Sequence, residues 1–247
     1  MKDLFSESSD LYARHRPQYP AALFAYLNTL VQDKDKAWDC GTGNGQVAAV
    51  LAETFTTVYA TDISTAQIAA AAHKENLQYS IQAAEHTHFP DHCFALITVA
   101  QAIHWFDFEQ FYAEVKRTAK ANAILAVIGY GDIRISETID PLMQDFHANT
   151  LGAYWDWERK YIDERYETIP FPFEAIAPPD FTITIDWTLE QLIAYINTWS
   201  ALKHFIKANK YNPVDTLQQQ IEPLWGKNLV RTVHFPLFLR IGKINPE

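Results

Sequence analysis

Cysteine, glycine and basic charge are all scarce in this 247-residue chain. The two cysteines, Cys40 and Cys93, lie far apart and make no disulfide framework. That excludes the small cross-linked secreted scaffolds and makes a reducing cytoplasm the expected setting. Twenty Lys and Arg stand against thirty Asp and Glu, for a formal net charge of −10 and an isoelectric point near 5.3. No basic stripe stands out, so neither nucleic-acid backbones nor anionic membrane surfaces are expected as partners. No apolar run approaches membrane-spanning length, and the opening stretch MKDLFSESSD carries no continuous apolar segment of leader type. A small molecule is the partner that remains, and the oligomeric state is left open.

What the chain does have is aromatic mass. Phe, Trp and Tyr make up 14% of it, including seven tryptophans, enough to furnish a pocket for something flat or cationic as well as a core. It also concentrates its few glycines. Three of the eight occur at alternate positions in AWDCGTGNGQ, residues 37–46.

Around that stretch, helix-type and strand-type patterns alternate. PAALFAYLNTLVQD opens on Pro20 and puts Leu23, Leu27, Leu30 and Val31 on one helical face. KAWDC, TTVYATD, LQYSIQ, FALITVA and AILAVIGYG read as five strands, the fourth a continuous apolar run suited to a sheet covered on both faces. Ser64 with Gln67, and Asp107 with Gln110, carry the spacing of helix capping boxes. Strands alternating with helices of about ten residues predict βαβ units and an open, mostly parallel sheet. After Gly131 the text changes. Helical spacing and aromatic, proline-rich segments fill 132–179, FTITIDW alternates as a strand, and a long helix is predicted from about Thr188 to Lys207 with a shorter one over Val214–Leu224. VRTVHFPLFLRIG reads as a final strand interrupted at Pro236, which suits an edge or a bulge. One domain spanning 1–247 is expected, with helical additions at about 132–179 and 188–229.

A strand that runs into glycines and then a helix makes a nucleotide-cofactor loop, because glycine accepts positive φ and close backbone approach. A tight turn that merely needs glycine is the plainer alternative. The dinucleotide fingerprint fails at Gln46, where its third glycine belongs, and no Gly-Lys-Ser/Thr follows for a phosphate loop. The pattern present is an acid, Asp39, followed by Gly41, Gly43 and Gly45.

That D-x-G-x-G-x-G run resembles the first motif of the class I methyltransferases that use S-adenosylmethionine (SAM). The resemblance implies a Rossmann-like open α/β sheet of about seven strands with extra C-terminal helices. It also implies SAM as cofactor and S-adenosylhomocysteine (SAH) as product. On it, Asp39, Cys40, Gly41, Thr42, Gly43 and Gln46 form the cofactor loop, with Asp39 receiving the ammonium group. Asp62, at the end of the second strand, holds the ribose hydroxyls, with Ile63 beside it. QAAEHTHF resembles the adenine-side segment, through Ala84 and Glu85. FALITVAQAIHWFD resembles the fourth-strand motif of the type-11 subgroup, placing Gln101, Ala102, His104 and Trp105 at the site. Ala95 departs from it, since an acid usually follows the position of Phe94. YARHRPQYP resembles the entrance segment of that subgroup, which includes trans-aconitate methyltransferases. There Tyr12, Arg16 and Tyr19 match, and Arg16 is suited to pair with the SAM carboxylate. The resemblance extends over YWDWERKY, TWSALKHF and the final strand.

Methyl transfer is then expected to a small-molecule acceptor, a carboxylate being the candidate, by in-line displacement driven mainly by positioning. His104 is the one base placed by motif, with a hydrogen-bonded lining histidine as its rival role. Tyr19, His104 and Trp199 are the candidate acceptor contacts. Tyr130, Trp155, Lys203 and His204 are assigned to the helical additions, where Lys203 could attract an acid. A protein that binds SAM or SAH without turnover is the alternative, and a nicotinamide dehydrogenase a more distant one. His86, His88, His92 and Cys93 match no common zinc spacing, so no metal is expected.

Overall fold

The computed structural model describes residues 17–226 and 230–245. Helix α1 (Ala21–Leu30) buries Leu23, Phe24 and Leu27. It leads into β1 (Lys36–Cys40), α2 (Gln46–Leu51), β2 (Thr57–Asp62), α3 (Thr65–Ala69) and β3 (Leu77–Ile81). Then follow β4 (Phe94–Ala100), α4 (Phe108–Thr118) and β5 (Ala119–Tyr130). The strands run in the order β3-β2-β1-β4-β5, all parallel. Successive units extend first to one side of β1 and then to the other, so the topological switch falls between β1 and β4.

Burial explains the patterns. In β4 every residue from Phe94 to Val99 is buried, which is why FALITVA carries no alternation. Ala95 is 4% exposed, in a wall that an acid would have to desolvate. The outer strand β3 alternates in sequence, but only Leu77 is fully buried and Ile81 is exposed. Of the two expected capping boxes, each forms its N-cap half but not the reciprocal bond to the N-cap backbone. Ser64 Oγ accepts from Gln67 N at 3.3 Å and Asp107 Oδ1 from Gln110 N at 3.1 Å. Trp38 is fully buried, its indole N–H donating to Thr61 Oγ1 at 2.9 Å.

Beyond β5 the chain packs short helical pieces over the sheet's carboxyl edge. These are α5 (Asp140–Asp145) running into a π-turn (Phe146–Thr150), and then α6 (Arg159–Asp163). Strands β6 (Glu174–Ile176) and β7 (Thr182–Trp187) precede α7 (Leu189–Ile196), α8 (Ser200–Asn209), α9 (Val214–Trp225) and β8 (Arg231–Ile244). The expected long helix after Thr188 is two helices, broken at Asn197–Trp199, and the break turns Trp199 inward.

The last strand also differs from expectation. It is neither interrupted nor at an edge. β8 lies antiparallel to β5 on one side, and to β6 and β7 along successive halves of the other. The sheet therefore has eight strands among the described residues, one more than the sequence suggested. Pro236 is tolerated because of where its missing donor would point. Leu237 N donates toward β7, at Phe181 O, and His234 N donates the other way, to Arg134 O. Position 236 shares the direction of 234 and so faces the gap between Tyr130 and Arg134, where no ladder bond is required. Among the described residues no helix is long and apolar enough to cross a membrane.

Candidate active site

The glycine loop sits at the carboxyl ends of β1, β2 and β4, outside the switch point. Gly41, Gly43 and Gly45 all have positive φ (66°, 56° and 81°), so the alternate spacing reflects three left-handed turns of the backbone in five residues. Gly41 is also pressed on the far side: a Cβ there would lie 2.6 Å from Ala102 Cβ. Gly43 is the opposite case, with nothing nearer to its Cβ position than Gln67 Oε1 at 3.8 Å. The loop is thus packed from beneath and open at its middle, as a cradle for a ligand must be.

Two carboxylates hold this cradle. Asp39 is 1% exposed and accepts from Thr42 Oγ1 at 2.5 Å and Thr98 Oγ1 at 2.7 Å. Burial pushes its carboxyl up to about 6, while the bonds from Thr42, Thr98 and the Ala48 N–H pull the other way. Asp39 is therefore enclosed beneath the loop and does not face out of it. Asp62 is half-buried at the end of β2, with Gly43 N donating to Oδ2 at 2.8 Å and Ser64 N to Oδ1 at 2.9 Å. Each oxygen keeps a further lone pair for a ligand hydroxyl.

The third wall comes from the turn after β4. Gln101 adopts φ 53°, a left-handed conformation unusual for a residue with a side chain, and is pinned by Gln101 N→Ile128 O (2.9 Å) and Gln101 Nε2→Tyr130 O (2.7 Å). The short 3-10 turn Ile103–Trp105 follows. His104 is 6% exposed; its Nδ1 lies 2.9 Å from the Tyr166 hydroxyl and the two rings stack. Ala84 is buried, and Glu85 Oε1 accepts from Asp107 N at 3.1 Å, tying the segment after β3 to the start of α4.

On the other side of Gln101 and Trp105 opens a cleft of about 870 Å³, part of it open to solvent. Its walls are aromatic: Tyr130 at the end of β5, Trp155 before α6, and Tyr195 and Trp199 from the α7–α8 break. Trp155 and Trp199 lie 5.6 Å apart between ring centres. Three charged side chains share the cleft: Asp132, Asp156 and Arg159. The Arg159 guanidinium lies over the Trp155 ring at 4.6 Å. Its Nε donates to Asp163 at 2.9 Å, and Nη2 lies 3.6 Å from Asp132.

A sheet with this switch point, a cradle open at Gly43 and an adjoining cleft matches proteins of one kind. Residues 38–127 match the methyltransferase domain family model. A candidate methyltransferase of Dictyostelium discoideum is 32% identical over 98% of this chain and 95% of its own. The chain belongs to the methyltransferase family. The solved structure of a candidate type II methyltransferase from Anaeromyxobacter dehalogenans superposes with a TM-score of 0.88 at 33% identity, over 94% of this chain and 99% of that one. A candidate methyltransferase of Bacillus halodurans, at 17% identity and a TM-score of 0.52 over 91% of this chain and 99% of that one, shares the fold.

In this methyltransferase the motif residues expected at the cofactor loop, from Asp39 to Gln46, converge with Asp62, Ile63, Ala84, Glu85, Gln101, Ala102 and Trp105 around the carboxyl edge of the sheet. Tyr12 and Arg16 lie outside the described residues. Tyr19 does not line the cleft; its ring packs near that of Tyr130 at 6.2 Å. Trp199 and His104 do line it. Tyr130 belongs to β5 and not to the helical additions. Lys203 is not in the cleft wall, and His204 Nδ1 lies 3.0 Å from the carbonyl oxygen of Tyr154. The cation in the cleft is Arg159, which the sequence reading missed along with Asp132, Asp156 and Tyr195. A signal was present for Asp156 and Arg159, since both interrupt the aromatic run YWDWERKY. Among the described residues no group of three or more His, Cys, Asp or Glu could hold a metal ion.

Proposed function

We propose that this methyltransferase transfers the methyl group of SAM to a small-molecule acid bound in the aromatic cleft. The observation that carries the acid is Arg159. It is a guanidinium in the acceptor cleft, backed by the Trp155 ring, with Nε directed to Asp163 and no hydrogen bond from Nη1 among the described residues. A planar fork of donors suits a carboxylate.

The cofactor half fits the open cradle. Asp62 takes the ribose hydroxyls, the backbone of Cys40, Gly41, Thr42, Gly43 and Gln46 runs beside the methionine portion, and Ile63, Ala84 and Glu85 border the adenine. Gln101, Ala102 and Trp105 separate this half from the cleft. Asp39 braces the loop from below, a role its three donors support better than direct contact with the ammonium. Residues 1–247 form one methyltransferase unit in which the additions at about 132–179 and 188–229 supply the acceptor cleft.

SAM, when bound, supplies an electrophilic methyl on a sulfonium. A carboxylate acceptor is already ionised at pH 7, so no proton has to leave. The chain then acts by orienting the acceptor and excluding water, and His104, bonded to Tyr166, serves as a lining group. Transfer of radiolabelled methyl from SAM to a panel of small aromatic and aliphatic acids tests this. Arg159→Met should raise KM for the acid about tenfold or more with kcat less affected. An unchanged KM removes Arg159 from acceptor binding. SAH binding with no transfer to any acid, alcohol or amine would favour a binding protein without turnover.

A further inference from the structure

The cleft holds a second charged side chain whose surroundings point to a ligand. Asp156 sits in the turn entering α6, where Arg159 N donates to its carbonyl oxygen at 2.9 Å. Its side chain lines the cleft, yet among the described residues the carboxylate makes no hydrogen bond and no ion pair, and Oδ2 is sealed from solvent. The neighbouring acids are engaged: Asp163 receives Arg159 Nε, while Asp132 lies near Arg159 and His147. Burying a carboxylate oxygen without a donor is costly unless something else supplies one. Its other oxygen, Oδ1, is not sealed and likewise has no donor among the described residues, so it is the one left to a ligand in the cleft.

Asp156 thus offers acceptor capacity one turn from the donor capacity of Arg159, with the rings of Trp155, Tyr195 and Trp199 in the same walls. We propose that Asp156 determines specificity by accepting a hydrogen bond from a hydroxyl or protonated amine of the methyl acceptor, which is therefore a flat-bodied acid that also carries a donor group. The acid half of this statement rests on the reading of Arg159 above; the donor half does not.

Four probes that share a phenyl body separate the halves: 3-phenylpropanoate (carboxylate alone), phenethylamine (ammonium alone), 3-phenyllactate (carboxylate and hydroxyl) and phenylalanine (carboxylate and ammonium). Each is titrated calorimetrically into the full-length protein saturated with SAH. Phenyllactate or phenylalanine should bind about 10- to 100-fold tighter than phenylpropanoate, and Asp156→Ala should erase that preference while leaving phenylpropanoate affinity and SAH affinity unchanged. Asp156→Asn tells the donors apart, because its amide oxygen still accepts from a hydroxyl but no longer offsets an ammonium charge. A preference that survives Asp156→Ala overturns the proposal, as does phenylpropanoate binding as tightly as the donor-bearing acids. Phenethylamine binding that depends on Asp156, with no phenylpropanoate binding, upholds Asp156 and removes the carboxylate reading. Failure of all four probes to bind overturns both.

Discussion

Asp39 and Asp62 end neighbouring strands, but burial gives them different work. Asp39 lies under the glycine loop with its carboxyl raised from 3.8 to about 6, first by desolvation. A carboxyl raised on folding contributes stability that is complete below its unfolded value of 3.8 and is lost as pH rises through about 6. Asp39→Asn removes that loss. From about pH 3.5 to about 7.5 the unfolding free energy of the variant should gain on the wild type by about 3 kcal/mol, measured by urea denaturation at each pH. A pH-independent difference would show that Asp39 carries no raised pKa. Asp62 remains half-exposed, and its loss is one of ligand affinity. Asp62→Ala should weaken SAH binding by about 10- to 100-fold by calorimetry, through the lost acceptor and the released Gly43 N–H. Unchanged affinity would sink the ribose assignment.

At the scale of elements, α4 is fastened to the segment that carries Ala84 and Glu85. Glu114 is 5% exposed on α4 and accepts from Thr87 N at 2.8 Å and from the Thr87 hydroxyl. Arg117 grips the same carboxylate through Nη2 at 2.6 Å and Nε at 2.9 Å. Burial would raise the Glu114 carboxyl, but the bonds from Arg117 and Thr87 hold it below its ordinary value. Arg117→Ala leaves that charge enclosed with only Thr87, and should cost on the order of 3 kcal/mol of stability, read as a lowered urea midpoint with unchanged m-value. SAH affinity should fall as well if the proposed adenine contact of Ala84 and Glu85 holds, because the Thr87 turn follows them directly. Loss of stability alone would separate this tie from the site. The helix N-caps at Ser64 and Asp107 and the apolar run of β4 were legible because they depend on neighbours within a few residues, whereas the full capping box, at Thr188 with Gln191, was not read from the sequence. The break at Asn197–Trp199 was not legible, since α7 and α8 read as one continuous helical pattern until their packing is known.

Across the whole molecule, the last strand reaches the active site through a loop. Arg165 and Tyr166 both take left-handed φ, 53° and 60°, directly after α6. Arg240 on β8 holds that loop, its Nη1 donating to the carbonyls of Tyr166 at 2.7 Å and Ile169 at 2.5 Å. The Tyr166 hydroxyl, fixed in this way, sets the position of the His104 ring. Arg240→Met should cost about 2 kcal/mol, shift the imidazole NMR resonances of His104 and lower kcat, with SAH affinity held. Unmoved His104 resonances would confine Arg240 to stability. No local pattern joins residues 104, 166 and 240; only the sheet brings them together.

The sequence by itself made the glycine loop and its neighbouring segments in this methyltransferase legible. A glycine loop between β1 and α2, an acid at the end of β2 and the segment after β4 are written in short contiguous segments, although the 3-10 turn in the last came only with the structure. His104 and Trp199 were also named from sequence, but tertiary structure decided the rest of the aromatic cleft. Arg159 gained its place from packing against Trp155, Tyr195 from the helix break that also turns Trp199 inward, and β8 its inner position from two edge strands that share it. These are contacts between residues tens of positions apart, selected by burial of apolar surface, which is non-directional and leaves no mark on local spacing.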